Sequence, residues 1–299
     1  MKKIIECVPN FSEGRDAAKI EGIVACFHGR EGVKFLDAQT DADHNRLVVT
    51  VAGEPEPLRE AVVAAVRKAV ETIDMRRHKG QHPRMGAVDV IPFIPVQGVT
   101  IDEAVALSKE VARDVWEICR VPVFLYEASA IDPARKDLSV IRKGQFEGMP
   151  EKLKSPEWKP DFGEGQIHPT AGVVAIGARM PLVAFNVNLD TNDMKIADSI
   201  ARAVRHISGG LRYCKAIGVE LKERNAVQVS MNMTDFTKTP LYRVVELIRV
   251  EAKRYGVNIV GSEIVGLVPM QALIDSAAYY MGLESFSIKQ VLEARLMEE

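Results

Sequence analysis

Hydrophobic and polar positions in the first half of the chain follow two alternating periods. Short apolar or alternating stretches predict strands over residues 3–9, 33–41, 46–52, 88–96 and 123–126. Between them, stretches with a period near 3.6 predict helices over residues 14–27, 56–74 and 100–119. One face of the second helix carries Leu58, Val62, Ala65, Val66, Ala69, Val70 and Ile73. This helix is therefore expected to pack against a sheet.

Local signals sharpen two of these elements. Pro92 and Pro95 interrupt the strand over residues 88–96, and because proline lacks a backbone donor they predict an edge strand or an irregular strand end. Thr100 and Glu103 have the spacing of a capping box, which predicts the start of the third helix.

Residues 130–171 break the regular pattern. Prolines and glycines punctuate this segment and exclude long elements, at Pro133, Gly144, Gly148, Pro150, Pro156, Pro160, Gly163, Gly165 and Pro169. We interpret the segment as the connection between two domains. An irregular segment of this length inside a compact protein is usually functional or mobile.

The second half repeats the mixture of strands and helices. Strands are predicted over residues 172–178, 182–189, 213–220, 226–233 and 257–261, and helices over 193–206, 270–281 and 287–297. A further helix is expected to begin with Thr239 as N-cap and Pro240 in its first turn, and to end at Tyr255 before Gly256.

Both halves thus predict the same kind of architecture. The fold class is α/β, with two similar subdomains of the α+β two-layer-sandwich type, each a mixed or antiparallel sheet with helices packed on one face. The subdomains are assigned to residues 1–178, which include the irregular connection, and 179–299. The similarity is one of architecture, since no residue-level repeat is evident.

Composition argues against several classes of function. A formal net charge of -2 and a pI near 6.4 give no overall attraction to nucleic acid or to an anionic membrane. No apolar run approaches a membrane span, and the first residues lack a signal-peptide pattern, so a cytoplasmic location is expected. The cysteines have neither metal-ligand spacing nor the pattern of a disulfide framework, so no metal is expected and they are interpreted as core residues: Cys7, Cys26, Cys119 and Cys214.

Two strands of the second half predict a sheet face rich in amides and hydroxyls. Period-two alternation directs their large apolar residues to the core and leaves on the opposite face Ala184, Asn186, Asn188, Gln228, Ser230 and Asn232. This face is either a solvated antiparallel face or a platform for a heterocycle such as a pterin, and the pattern alone favours neither strongly.

The densest group of reactive side chains lies in the loop over residues 75–86. Arg76, Arg77 and Lys79 suit the binding of carboxylates, although a run of charges is usually a solvated loop. Loops held by rigid elements are where binding and catalytic residues concentrate.

His82 has the most site-like context among the histidines. Pro83 restricts the backbone of His82, and Gly86 permits a tight return of the chain. An unperturbed imidazole titrates near pH 6.5, so it can accept and release a proton near neutrality.

Several motifs spread over the chain belong together. They are Glu6–Gly14, Arg77–Ala87 with Asp89 and Pro92–Val96, Trp158 with Pro160–Gly163, Ala184–Asn186 with Asn188 and Leu189, and Val265–Pro269. In these residues the sequence resembles the glutamate formiminotransferase family, the folate-dependent enzymes of histidine degradation. The matches span nearly the whole chain, and the sequence His-Pro-Arg-Met-Gly at residues 82–86 is highly specific.

This resemblance implies a homodimer of two-subdomain α/β protomers, with tetrahydrofolate as co-substrate bound between the subdomains. The family's catalytic histidine falls on His82. Folate contact is implied for Gly163, Glu164, Gly165, Gln166, Ile167, His168, Pro169, Thr170, Ala171 and Gly172. Asn186 and Asn188 are further candidates for folate contact, and Arg77 and Lys79 are candidates for holding a substrate carboxylate.

Two features depart from the mammalian pattern. Mammalian members continue into a cyclodeaminase domain that this sequence lacks, so channelling is not expected here and a separate cyclodeaminase would be its partner. An acid implicated near the mammalian site falls on Gln39 in this chain. We assign its part to Asp37, with Asp41 as the alternative.

The implied reaction is attack by N5 of tetrahydrofolate on the formimino carbon of N-formiminoglutamate, followed by expulsion of glutamate. His82 could take the proton from N5 and give one to the departing nitrogen. Arg84 is expected to bind a substrate carboxylate or to orient a carboxylate that polarises His82, and Asp89 is either a structural acid or the partner of His82. Three further cations either follow the glutamate tail of folate or are solvated charges: Lys136, Arg142 and Lys143.

Two other functions fit the same residues. A related enzyme could use a formyl donor, N-formylglutamate or 5-formyltetrahydrofolate, and the same histidine would serve it. A non-catalytic folate-binding protein would need no acid–base residue, so a substitution of His82 would leave folate affinity intact and change nothing else. A titratable histidine beside carboxylates would be unusual for storage alone.

Overall fold

The computed structural model describes residues 2–80 and 82–296 and divides the chain into two units, Met1–Arg179 and Met180–Glu299. The boundary predicted from the sequence falls after residue 178. Each unit contains one sheet with helices packed against it, so the predicted two-subdomain α/β class is confirmed. Helices on a single face, predicted for both units, are wrong for the first, where residues 138–152 add short helices on the second face. Within the described residues, no helix combines the length and the apolar character needed to cross a bilayer.

Strands and helices of the first unit form one mixed sheet with helical layers. They are β1 (Ile4–Cys7), β2 (Asn10–Phe11), α1 (Ala17–Val24), β3 (Val33–Asp41), β4 (Arg46–Gly53), α2 (Pro55–Thr72), β5 (Val88–Gln97), α3 (Ile101–Cys119), β6 (Val123–Glu127), α4 (Leu138–Arg142), α5 (Gln145–Lys152) and β7 (Val174–Ala178). The strand order is β3, β4, β1 with β2, β5, β7 and β6, because β1 and β2 share one position between β4 and β5. β7 runs parallel to both β5 and β6, and the other pairs are antiparallel.

β5 is a central strand, so the edge position is wrong. The alternative predicted from its two prolines, an irregular strand end, is confirmed by the register shift where Ile4 and Ile5 pair with Gln97 and Pro95. The carbonyl of Pro92 accepts from the N–H of Val8, which places the donor-free nitrogen of Pro92 opposite the interruption between β1 and β2. Phe93 pairs with Ala178 at the end of β7. The nitrogen of Pro95, two residues further along β5, also points toward the β7 side of the sheet, but it lies beyond the end of β7. Both missing donors therefore face positions where the sheet needs none.

The main core of the first unit lies between its sheet and the long helices. α2 buries the apolar face predicted from its sequence, and β4 contributes Leu47, Val49 and Val51 to the same core. α3 begins at the predicted capping box, in which the Thr100 hydroxyl accepts from the backbone of Glu103. At about 25 cal/mol per Å² of apolar surface removed from water, this layer is the dominant stabilising contribution in the unit.

Residues 130–171 belong to the first unit and do not form an open connection. Ile141 of α4 and Met149 of α5 are fully buried against Phe124 on the opposite face of the sheet. Arg135 donates to Asp161 at 2.9 Å, and Asp161 accepts from the N–H of Leu125 at 2.8 Å. The segment is irregular because paired side chains, and not long elements, hold it in place.

The second unit is a four-stranded antiparallel sheet with its helices on one face. Its elements are β8 (Val183–Leu189), α6 (Met194–Val204), β9 (Cys214–Leu221), β10 (Ala226–Met233), α7 (Leu241–Arg254), β11 (Ile259–Val265), α8 (Met270–Met281) and α9 (Leu292–Leu296). The strand order is β11, β8, β10 and β9. The predicted core positions of β8 and β10 are buried.

Three boundaries in the second unit differ from the sequence prediction. The N-cap of α7 is Pro240 and not Thr239, because Pro240 keeps an extended backbone and the helix starts after it. β11 runs to Val265, well past the predicted end at residue 261, and pairs with β8 through a register shift. The helix predicted over residues 287–297 is interrupted by extended backbone at Val291. Residue Met297 lies outside the described residues.

Candidate active site

The loop between α2 and β5 is anchored at both ends. Met75 and Met85 are buried. The N–H of Met75 donates to the carbonyl of Thr170 at 2.8 Å, and the N–H of Met85 donates to Oδ1 of Asp89 at 2.9 Å. Rigid supports therefore hold the loop that carries His82. Gln81, in the same loop, lies outside the described residues.

His82 is half-buried and has positive charges around it. Burial lowers the pKa of His82 most, the charges of Arg46 and Arg142 lower it further, and the Asp41 carboxylate opposes them, leaving a pKa of about 3. The His44 ring lies edge-on to it, with 6.4 Å between ring centroids. His82 is therefore neutral at pH 7, and its unprotonated ring nitrogen can accept a proton.

A second histidine stands beside the first, on the turn between β3 and β4. Nδ1 of His44 lies 2.6 Å from Oδ2 of Asp41, and the N–H of His44 donates to the same carboxylate at 2.8 Å. These bonds hold the pKa of Asp41 below its ordinary range. Asn45 ties this turn to the His82 loop, because its side chain donates to the carbonyl of Lys79 at 3.1 Å. The turn and the loop therefore form one rigid wall.

Two arginines, Arg46 and Arg142, and the buried carboxylate of Asp89 lie near His82. Nη2 of Arg142 donates to Oδ2 of Asp89 at 2.5 Å, and burial raises the pKa of Asp89. Asp89 thus holds Arg142 and the backbone of Met85, which is the structural alternative of the two weighed from the sequence. Burial lowers the pKa of Arg46 most, the charge of Arg142 lowers it further, and the carboxylates of Asp41 and Asp89 oppose this shift.

Arg84 is fully engaged with protein groups. Its guanidinium pairs with both carboxylate oxygens of Glu147, at 2.6 and 2.9 Å, and donates to Gln145 at 3.0 Å. Its Nε donates to Nδ1 of His78 at 3.1 Å, while Nε2 of His78 faces the carbonyl of Asn45 at 2.9 Å. Because these partners use its donors, Arg84 braces the His82 loop against α5.

The remaining cations and acids predicted from the sequence lie at the surface or away from His82. Arg77 and Lys79 are exposed on the loop, and Lys136 and Lys143 are exposed beside α4. Asp37 accepts a hydrogen bond from the side chain of Gln39 at 2.8 Å. Asp41 is therefore the carboxylate whose charge reaches His82, and the role assigned to Asp37 stays a prediction.

The segment predicted to contact folate packs directly on the His82 loop. His168 and Gly172 exchange two backbone hydrogen bonds of 2.9 Å, which close a tight turn, and the His168 ring accepts from the N–H of Ala171 at 3.0 Å. The carbonyl of Ala171 accepts from the N–H of Ala87 at 2.9 Å. The structure therefore brings residues 168–172 next to residues 85–87.

The amide face of the second unit is present and includes an acid missed from the sequence. Asn186 and Gln228 both donate to Oε1 of Glu263, at 3.0 and 2.8 Å, and Gln228 also donates to Asn188 at 2.8 Å. Asn186 accepts in turn from the N–H of Met231. Glu263 was missed because the sequence predicts that its strand ends at residue 261.

Sequence reasoning also missed His44 and Arg46. A polar turn between two strands was visible at residues 41–46, but no spacing rule points from it to a loop that follows a helix of eighteen residues. Only the pairing of β4 with β2, and of β2 with β5, brings the turn to the loop. Over the described ranges 2–80 and 82–296, no group of three or more His, Cys, Asp or Glu side chains is arranged to hold a metal ion.

Comparisons with known proteins match both units of the chain. Residues 4–179 match the family model of the formiminotransferase domain, N-terminal subdomain, and residues 184–297 match that of the formiminotransferase domain. A glutamate formimidoyltransferase of Streptococcus pyogenes serotype M1 is 54% identical, over 99% of this chain and 100% of the relative. A glutamate formimidoyltransferase of Thermoplasma acidophilum is 46% identical, over 98% of this chain and 97% of the relative. The formimidoyltransferase-cyclodeaminase of Rattus norvegicus is 43% identical over 96% of this chain, which spans 54% of that relative.

Proposed function

Because the chain belongs to the formiminotransferase family, we propose that it is a glutamate formimidoyltransferase that moves the formimino group of N-formimino-L-glutamate to N5 of tetrahydrofolate, in histidine degradation. The observation that carries this proposal is the half-buried His82, which lies in a loop hydrogen-bonded at both ends, through Met75 and Met85. Residues 168–172 pack on the same loop, and they belong to the segment 163–172 that is the proposed folate contact.

The chemistry needs one group that can hold a proton between two nitrogens. N5 attacks the formimino carbon and forms a carbon–nitrogen bond, which gives a tetrahedral intermediate. His82 takes the proton from N5 and delivers it to the glutamate nitrogen as the second carbon–nitrogen bond breaks. General acid–base catalysis of this kind contributes roughly 10²- to 10⁴-fold, and holding both substrates in one site contributes much of the rest.

Neighbouring residues act on His82 without touching the reacting atoms. Asp41 fixes His44 beside the imidazole and opposes the cationic field, so we propose Asp41 for the acid that the mammalian pattern places at Gln39, with Asp37 as the alternative. Arg84 is a positioning residue, because it ties the loop to Glu147.

Further parts of the proposal follow from the family. Asn186 and Asn188 are proposed as additional folate contacts, and Arg77 and Lys79 as contacts for a carboxylate at the site entrance. We also propose a cytoplasmic homodimer that works beside a separate cyclodeaminase. Size-exclusion chromatography with light scattering tests the dimer, which is expected at about twice the 33.0 kDa chain mass.

The test of function is turnover by the purified chain. Formiminoglutamate and tetrahydrofolate are supplied together, and 5-formiminotetrahydrofolate is measured by chromatography with mass detection. N-formylglutamate and 5-formyltetrahydrofolate serve as parallel donors. We expect kcat/KM to be at least about tenfold higher with the formimino donor, since specificity is a ratio of kcat/KM values. Turnover only with a formyl donor would identify a formyltransferase, and folate binding without turnover would identify a binding protein.

A further inference from the structure

We propose that Arg46 and Arg142 bind the α-carboxylate of the amino-acid donor and thereby place its formimino carbon against His82. The identity of the donor rests on the proposed function. The carboxylate site itself rests on the geometry of the two arginines.

Two separate elements deliver these arginines to one place. Arg46 is the first residue of β4, and Arg142 is the last residue of α4. Both act electrostatically on the imidazole of His82, and each lies within range of Asp89. Two guanidinium groups whose charges both reach an acid–base histidine are suited to a planar, doubly accepting anion such as a carboxylate.

Two carboxylates act on this cluster, Asp41 and Asp89, and neither is hydrogen-bonded to Arg46. Asp89 is the buried carboxylate in it, and it is already bonded to Arg142 and to the backbone of Met85. The Nε atoms of Arg46 and Arg142 are buried and have no hydrogen-bond partner among residues 2–80 and 82–296. These enclosed Nε atoms are out of a ligand's reach, but the Arg142 side chain is 17% exposed and Arg46 is only half-buried. A carboxylate that contacts the exposed parts of both side chains would offset part of the cost of burying two cations.

Chemistry selects which substrate carboxylate can reach this place. In the donor, the α-carboxylate is two bonds of about 1.5 Å from the nitrogen that carries the formimino group. In folate, the whole aminobenzoyl group separates the glutamate carboxylates from N5. A carboxylate bound beside His82 while the reacting atoms are also there must therefore come from the donor.

Hydrogen bonds from Lys152 hold the backbone at the end of α4, where Arg142 lies. Nζ of Lys152 donates to the carbonyls of Val140 at 2.8 Å and Ile141 at 2.6 Å, which satisfies the end of α4. The ammonium also lies 3.7 Å from the ring centroid of Trp158. Arg142 is therefore presented in a fixed position, and little ordering is needed when the carboxylate binds.

The experiment compares two donors in four variants, of which Arg77→Gln, on the exposed loop, tests the alternative carboxylate site. N-formimino-4-aminobutyrate keeps the distal carboxylate of formiminoglutamate and lacks the α-carboxylate. Arg46→Gln removes one cation without unpairing a protein carboxylate, and Arg142→Lys keeps a charge for Asp89 but loses the guanidinium fork. Arg67→Gln, on the exposed side of α2, is the control. Binding of L-glutamate and of 4-aminobutyrate is measured by calorimetry in the same proteins.

The proposal predicts that the kcat/KM penalty for deleting the α-carboxylate of the donor depends on the two arginines. In wild type, deleting the α-carboxylate should lower kcat/KM about 10- to 100-fold, as expected for charge-assisted hydrogen bonds. In Arg46→Gln and Arg142→Lys this penalty should shrink to less than about threefold, with the KM for tetrahydrofolate unchanged. L-glutamate should bind wild type and Arg67→Gln alike and bind Arg46→Gln at least about tenfold more weakly.

Several outcomes would overturn the subsite. One is an undiminished penalty in Arg46→Gln, and another is a rise confined to the KM for tetrahydrofolate, which would assign the arginines to the folate tail. A larger effect in Arg77→Gln than in Arg46→Gln would move the site to the exposed loop. If wild type shows no turnover at all, the proposed function fails, and the glutamate-binding measurements still decide the carboxylate site.

Discussion

The cationic cluster of the first unit and the amide face of the second bury polar groups in opposite ways. On the amide face, Asn186 and Gln228 share the carboxylate of Glu263, so the network closes on itself. In the cluster, Arg46 and Arg142 keep buried donors for which the described residues provide no acceptor. A closed network suits a neutral heterocycle that adds little charge, whereas an open cationic cluster requires an anion.

The largest expected effect is at the centre of the open cluster. His82→Ala should lower kcat roughly 10²- to 10⁴-fold, because it removes the group that carries the proton between the two nitrogens. Folate affinity should change less than about threefold. Steady-state kinetics with fluorescence titration of folate would measure both, and His206→Ala, an exposed histidine of the second unit, is the matched control.

A retained kcat in His82→Ala would remove the acid–base role from this residue. A kcat within tenfold of wild type would direct attention to His44, which is the other imidazole in the wall and is already hydrogen-bonded to Asp41. The double variant with His44→Ala would then distinguish a shared role from an absent one.

The second prediction concerns the backbone contact that joins the folate segment to the His82 loop. Gly172 has a φ of +70°, and a Cβ there would lie 2.3 Å from the carbonyl oxygen of Met85. Gly172→Ala should lower the free energy of unfolding by about 2–4 kcal/mol and weaken folate binding. Chemical denaturation and folate titration measure the two effects.

Gly209 in the second unit is the control that distinguishes backbone strain from a steric clash of the added Cβ. It also has a positive φ, of +96°, but a Cβ there would meet no atom within 4 Å. Gly209→Ala should therefore lower stability by only about 1–2 kcal/mol and leave folate binding unchanged. Equal losses in the two variants would mean that the contact with Met85 relaxes easily.

The third prediction tests the electrostatic effect of the cationic cluster, Arg46 and Arg142, on His82. Arg46→Gln removes a positive charge that lowers the pKa of His82, so this pKa should rise from about 3 by at least roughly one unit. The ring protons of His82, followed by NMR as the pH is lowered, would measure the change. An unchanged pKa would mean that burial alone keeps the imidazole neutral.

The same substitution should alter stability in acid. In wild type the unfolded chain binds a proton at His82 near pH 6.5 and the folded chain does not until about pH 3, so stability is lost as the pH falls across that window. A higher pKa of His82 in the folded state narrows the pH range over which this stability is lost. Arg46→Gln should therefore lose less stability than wild type between about pH 4 and pH 3, as thermal unfolding at each pH would record.

The sequence predicted the elements better than it predicted the site. Periodicity gave the amphipathic face of α2 and the core faces of β8 and β10, because burial repeats regularly along one element. The His82 loop was found because its residues are adjacent in the chain. Arg46 was not found, because its proximity to His82 depends on pairing between three strands, and that pairing leaves no local signal.

The smallest effect is expected on the closed amide face. Hydrogen bonds from Asn186 and Gln228 hold the pKa of Glu263 below its ordinary value of 4.5. Its contribution to stability is therefore present above that value and is lost as the pH falls through the lowered pKa. Glu263→Gln keeps an acceptor oxygen, so the free energy of unfolding at pH 7 should fall by less than about 1 kcal/mol.

Folate binding decides what the closed network is for. If Asn186 and Asn188 contact folate, Glu263→Gln should disturb their orientation and raise the KM for tetrahydrofolate about two- to fivefold, with the KM for the donor unchanged. The KM should rise less than in a variant that loses a charged contact, because a neutral heterocycle is held by neutral hydrogen bonds worth about 1 kcal/mol each. A loss of stability with an unchanged KM for tetrahydrofolate would instead mean that the amide face only stabilises the second unit. Of the two regions, only the cationic cluster would then bind a substrate.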